Sequence, residues 1–117
     1  MKTDIVLLNG GSSSGKTSIA TARADAGIIL DEVFLSGAAS QRRVRTFLDG
    51  LRVLWVGVHC RSEVAAIREA GRPERNIGMA RAQAEVVHAG VEYDLTVDTS
   101  QCSAAECARI IAGHVDG

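Results

Sequence analysis

The sequence predicts an α/β domain: a parallel sheet with helices packed on both of its faces. Three observations carry that expectation. Short strand-like runs recur at residues 5–8, 28–30, 53–58 and 93–98, separated by stretches of helical length. The third run, Val53-Leu54-Trp55-Val56-Gly57-Val58, is apolar at every position, as a strand covered on both faces has to be. No repeat, low-complexity tract or linker interrupts the alternation, so the 117 residues read as one domain with a modest core.

The elements follow in order. Residues 4–9 form the first strand, and a glycine- and serine-rich turn then opens a helix over about 15–26. Gly27 stops that helix, and Ile28-Ile29-Leu30 runs into Asp31-Glu32 as the second strand. A helix over about 38–48 ends near Asp49-Gly50, and 53–58 is the third strand. Ser62 with Glu63 starts a helix to about residue 70, which Gly71-Arg72-Pro73 breaks. A further helix is expected over 74–88, a fourth strand over 93–98 and a closing helix over about 103–112. Ser103 followed three residues later by Glu106 has the form of a capping box. The sheet is thus a short one, of about four parallel strands.

Composition narrows the function. A formal net charge of -1 gives no general attraction to nucleic acid. No run approaches the roughly 18 apolar residues of a transmembrane helix. Residues 5–8 enter a glycine turn directly and do not resemble a secretory signal, so neither a membrane nor a nucleic-acid partner is expected and the location is cytoplasmic. Cys60, Cys102 and Cys107 form neither a disulfide framework nor a zinc pattern. Cys60 and Cys107 read as small buried hydrophobes.

Chemistry concentrates at Gly10-Gly11-Ser12-Ser13-Ser14-Gly15-Lys16-Thr17. Glycine, four residues, glycine, lysine and threonine, after a strand and before a helix, is the P-loop pattern. Its glycines let backbone N–H groups face an anion, and the helix behind adds its positive end. Lys16 is expected among the β- and γ-phosphate oxygens, and Thr17 at Mg²⁺. Asp31, at the end of the second apolar strand, is the expected second metal residue, since P-loop proteins hold the ion with a carboxylate there. Arg68, Arg72, Arg75 and Arg81 gather around the helix break, where arginines can supply charge over a transferring phosphoryl group. Arg42, Arg43 and Arg45 are expected on an exposed helix face and Trp55 in the core. His59, His88 and His114 are scattered, with structural or surface roles. Asp98-Thr99-Ser100, after the last strand, stands where P-loop kinases place the loop bordering adenine.

These residues resemble the chloramphenicol phosphotransferases, small P-loop kinases that move a phosphoryl group from ATP to an antibiotic hydroxyl. The resemblance rests on the opening Ile5-Val6-Leu7-Leu8-Asn9-Gly10-Gly11-Ser12-Ser13 and on Ile28-Ile29-Leu30-Asp31-Glu32-Val33-Phe34-Leu35. It continues through Leu54-Trp55-Val56-Gly57-Val58, Arg68-Glu69, Arg72, Arg75, Gly78-Met79-Ala80, Val86-Val87-His88-Ala89-Gly90-Val91-Glu92-Tyr93-Asp94 and Val97-Asp98-Thr99. It implies a P-loop nucleotide kinase-like three-layer sandwich, with ATP and Mg²⁺ as cofactors and a small-molecule alcohol as acceptor. Lys16, Asp31, Arg72 and Arg75 would be the catalytic group, Gly10 to Thr17 the nucleotide cradle, and Thr17 and Asp31 the metal residues. Val33 and Phe34 would lie beside the acceptor.

The chain departs from the family in one place. Members carry a long segment between the phosphate-loop helix and the Asp-Glu-Val-Phe-Leu strand, containing a further strand, the acceptor's base and helices that wall the antibiotic pocket. Here Lys16 and Gly27 are eleven positions apart. A crossover between neighbouring parallel strands needs about a dozen residues, and Gly11 to Gly27 supplies a little more than that. No position inherits the base, and Asp31 or Glu32 is the nearest substitute. Losing an edge strand would leave the Asp31 strand as the new edge, open to pairing with a second copy as a homodimer. Two functions follow: an O-phosphotransferase acting on chloramphenicol or a related alcohol, or an ATP-binding remnant of one.

Overall fold

The protein is seen in a computed structural model that describes residues 3–11, 14, 16, 19, 28–70 and 86–115. Within these the sheet has four parallel strands: β1 (Ile5–Asn9), β2 (Ile28–Glu32), β3 (Val53–His59) and β4 (Leu95–Asp98). Their spatial order is β2-β1-β3-β4. Three described helices accompany them: α1 (Ala38–Phe47), α2 (Ser62–Ala70) and α3 (Ala104–Val115). The helices expected over 15–26 and 74–88 fall largely outside the described residues.

Strand alternation divides the core into two layers. Val6, Leu8, Leu54, Val56 and Val58 turn to one face, where Cys107, Ile111 and Val115 of α3 and Ile19 cover them. Leu7 and Trp55 turn to the other, against Phe34, Val44 and Leu48. Both faces are covered, which is why β1 and the middle of β3 carry no polar alternation. The expected three-layer α/β architecture is the one observed, and Trp55 is in its core.

Two aspartates start the ladder at their ends of the sheet. Asp4 Oδ2 accepts the Arg52 N–H at 2.8 Å, and Asp94 Oδ2 accepts the Trp55 N–H at 2.9 Å. Asp94 therefore satisfies the backbone beside β3 with its side chain, so β4 begins at Leu95, two residues later than the apolar pattern suggests. The closing helix is also shifted, running from Ala104 to Val115, because Val115 packs into the core. Its capping box forms as expected: the Glu106 N–H donates to Ser103 Oγ at 3.1 Å, and the Ser103 N–H to Glu106 Oε1 at 3.3 Å. These bonds favour the ionised Glu106 carboxylate and lower its pKa.

Candidate functional site

The carboxyl ends of β1 and β2 bring the predicted residues together. β1 and β2 run in register, Leu8 beside Asp31 and Asn9 beside Glu32. The chain leaves β1 at Gly10, whose N–H donates to the Glu32 carbonyl at 3.4 Å. A Cβ at Gly10 would stand 2.6 Å from the Val58 carbonyl and 2.7 Å from Ser14 Oγ. Only glycine lets the loop fold down this closely on β3.

Lys16 is buried to 8 % exposure, and its Nζ lies 3.2 Å from Asp31 Oδ1. Two residues the sequence assigned to one site thus meet, with the carboxylate on the solvent side. Ser14 is also buried, and its Oγ has no hydrogen-bond partner among the described residues. Gly10, Gly11, Ser14, Lys16 and Asp31 are therefore placed as a cluster. Ser12, Ser13, Gly15, Thr17, Arg72, Arg75 and Arg81 lie outside the described residues. Among the described residues no three His, Cys, Asp or Glu side chains group as a metal site.

Asn9, at the last position of β1, is a feature the sequence reading did not single out. It is fully buried and uses its whole amide. Nδ2 donates to the Val87 carbonyl at 2.9 Å and to the Tyr93 hydroxyl at 2.7 Å, while Oδ1 accepts the Phe34 N–H at 2.9 Å. One side chain ties the strand before the phosphate loop to the segment after β2 and to the approach to β4. An asparagine ending an apolar strand was the available signal. Phe34 is consequently enclosed at 1 % exposure, whereas Leu35 beside it is 62 % exposed.

The histidines correct the expectation that they are scattered. His59 and His88 stack with ring centroids 3.9 Å apart, and both meet Tyr93 edge-on. The Tyr93 ring lies over Gly57, where a Cβ would stand 2.6 Å from it. His88 Nδ1 contacts the Tyr93 hydroxyl at 2.5 Å. Burial, then the neighbouring His59, pushes His88 down to about 4, against a hydrogen bond to the Val58 backbone. Burial pushes Tyr93 up to about 12, against the Asn9 hydrogen bond. Burial also lowers His59, with Asp98 opposing. The Tyr93 oxygen accepts from Asn9 Nδ2, so its own proton is directed at His88 Nδ1, which accepts it in the neutral ring that burial favours. His114 stays exposed on α3, its Nδ1 3.0 Å from the Ile110 carbonyl.

The remaining arginines separate by role. Arg42, Arg43 and Arg45 are exposed on α1, and Arg45 lies over the Trp55 ring at 5.1 Å. Arg68 turns toward the loop after β4 and binds Thr99. Cys60 and Cys107 are buried free thiols, as expected, and burial raises Cys107.

The sequence profile of the chloramphenicol phosphotransferase-like proteins matches residues 19–116. The chain belongs to that family. Over 82 residues it is 38 % identical to a Mycobacterium tuberculosis H37Rv protein named "Putative O-phosphotransferase", and equally to its counterpart in strain CDC 1551. The match takes in 70 % of this chain and 36 % of each relative, so the chain spans little more than a third of the curated relatives it matches. Among solved structures, an unliganded sugar kinase from Janibacter sp. HTCC2649 superposes with a TM-score of 0.73 at 16 % identity, covering 95 % of this chain and 93 % of that one. A "putative kinase" from Chloroflexus aurantiacus superposes with a TM-score of 0.63 at 13 % identity, covering 97 % and 96 %. These two likenesses establish the kinase-type fold. Among the described residues no helix is long and apolar enough to cross a membrane.

Proposed function

We propose that the chain is an ATP-dependent O-phosphotransferase acting on the hydroxyl of a small cytoplasmic alcohol, with chloramphenicol or a related antibiotic as the acceptor. The observation that carries this reading is the Lys16–Asp31 pair at the mouth of the phosphate loop. A triphosphate with its divalent cation fits this donor set. A buried ammonium and a buried hydroxyl without a partner among the described residues suit an anion, and a carboxylate at the solvent edge suits Mg²⁺. When bound, the nucleotide supplies the phosphoryl group and the cation neutralises its charge.

The chain's own residues would divide the work. Gly10 to Thr17 hold the phosphates through backbone N–H groups. Lys16, already desolvated, would hold the phosphate oxygens, and Asp31 with Thr17 would hold the metal. Arg72 and Arg75 bring further positive charge over the transferring group and exclude water. Residues 1–117 act as one domain, and copies pair through the β2 edge as a homodimer. Positioning accounts for much of the rate in phosphoryl transfer, so the acceptor's contacts decide turnover. ADP release that rises when chloramphenicol is added supports the proposal; release indifferent to every hydroxylated acceptor overturns it.

One observation favours a second reading, an ATP-binding remnant with little transferase activity. The strand that would border the acceptor, β2, is the open edge of the described sheet, with Ile28 58 % exposed. On that reading Mg²⁺-dependent ATP binding persists and no phosphorylated antibiotic forms.

A further inference from the structure

α2 follows β3 and lies apart from the phosphate loop in sequence, yet one of its side chains reaches toward that loop. Arg68 Nη1 donates to Thr99 Oγ1 at 3.0 Å, and Nη2 donates to the Thr99 carbonyl at 2.9 Å. Nη1 also lies 3.4 Å from Cys60 Sγ. The Thr99 hydroxyl in turn donates to the Ser14 carbonyl, inside the phosphate loop. The Thr99 N–H donates to the His59 carbonyl at 2.9 Å, which fixes Thr99 to the end of β3.

The direction of this chain of bonds is set by chemistry. A guanidinium can only donate, and a threonine hydroxyl has one proton. With Arg68 occupying the hydroxyl's acceptor side, that proton goes to the Ser14 carbonyl, the nearer of two acceptors, the His59 carbonyl lying at 3.4 Å. Thr99 and Ser14 are 8 % and 4 % exposed, so water does not compete strongly for these bonds. Holding the Ser14 carbonyl holds its whole planar peptide unit. A loop that binds an anion through its N–H groups must keep its carbonyl oxygens turned elsewhere, because each one facing the phosphates would repel them.

We infer that Arg68 is a positioning residue for the phosphate loop. Through Thr99 it pins the Ser14 carbonyl, and so keeps the loop in the form that accepts a triphosphate. This rests on reading the loop as a triphosphate site. It assigns Arg68 to preparing the cradle, and leaves charge over the transferring group to the arginines further along.

The test is a double-mutant cycle on the full chain with Arg68→Ala, Thr99→Val and the pair together. Mg²⁺–ATP and Mg²⁺–tripolyphosphate binding are measured by calorimetry on protein whose fold is verified by circular dichroism. Each single substitution should weaken both ligands about tenfold, the scale of one charge-assisted hydrogen bond. The double variant should be no weaker than the weaker single, because both changes cut the same connection. Parental affinity in folded Arg68→Ala overturns the inference. So does weakening of ATP without weakening of tripolyphosphate, or a double variant whose loss is the product of the two singles. If Arg68→Ala does not fold, Arg68→Lys keeps the charge without the two-nitrogen grip, and the same affinities decide: weaker binding supports the inference and parental binding overturns it. A parent chain that binds neither ligand refutes the site reading itself, an outcome distinct from unchanged affinity in the variants.

Discussion

β1 and β2 are five-residue parallel strands in direct register, yet they live in different environments. Every residue of β1 is buried, while β2 is buried at none of its five positions. β1 is flanked by strands on both sides and ends in Asn9, whose amide has three partners. Among the described residues β2 has a strand on one side only, and its Asp31 is exposed beside Lys16 of the phosphate loop. On the proposed reading, the contrast separates two halves of a phosphotransferase site. The half that would hold the phosphates is built into the centre of the sheet, and the half that would hold the alcohol stands at its margin.

The largest effect should come from the centre. Asn9→Ala leaves the Val87 carbonyl, the Tyr93 hydroxyl and the Phe34 N–H without their partner, each at a cost of about 1–3 kcal/mol. A loss of about 4 kcal/mol in urea unfolding is expected; a loss below 1 kcal/mol would mean that Asn9 does not join these segments. Next in size, Lys16→Ala should weaken Mg²⁺–ATP binding by on the order of 100-fold, since it removes a desolvated charge from the anion site. Calorimetry checks this, and unchanged affinity would move the phosphates away from the loop.

These two residues also mark what the sequence could and could not convey. Lys16 and Gly10 belong to a pattern with fixed spacing, Asp31 closes an apolar strand, and Leu7, Val56 and Trp55 lie in apolar runs whose burial follows from their composition. The sheet and the meeting of Lys16 with Asp31 were therefore legible. Asn9 was visible only as a polar residue closing a strand, because its partners lie 25 to 84 positions away. The His59–His88 stack and the Arg68–Thr99 contact are likewise meetings of distant residues that no local spacing encodes. Asp94 shortened β4 for the same reason, since its carboxylate does the work of a ladder bond.

A smaller effect is expected from pH. The folded-state pKa of His88, about 4, lies below the ordinary 6.5, so the unfolded chain binds the extra proton between those values. Stability contributed by the neutral ring is present above pH 6.5 and is lost as the pH falls toward 4. His59 adds in the same direction, with Asp98 opposing it. Urea midpoints at pH 7, 5.5 and 4.5 should decline in the parent and decline less in His88→Gln; parallel declines would exclude His88 as a source. The smallest effect should come from the margin. Ile28→Lys, on an exposed edge residue, should alter stability by no more than about 0.5 kcal/mol. In sedimentation it should disrupt a dimer formed through β2, and an unaffected dimer would place the contact elsewhere.

Whether the marginal half still receives an alcohol is decided by mass spectrometry of chloramphenicol after incubation with the protein, ATP and Mg²⁺, beside a nucleotide-only control and Lys16→Ala. The O-phosphotransferase reading predicts phosphorylated chloramphenicol, or the phosphate ester of a related alcohol offered in its place, with the parent chain and none with Lys16→Ala. Absence of any phosphorylated acceptor from a parent chain that binds Mg²⁺–ATP would contradict it.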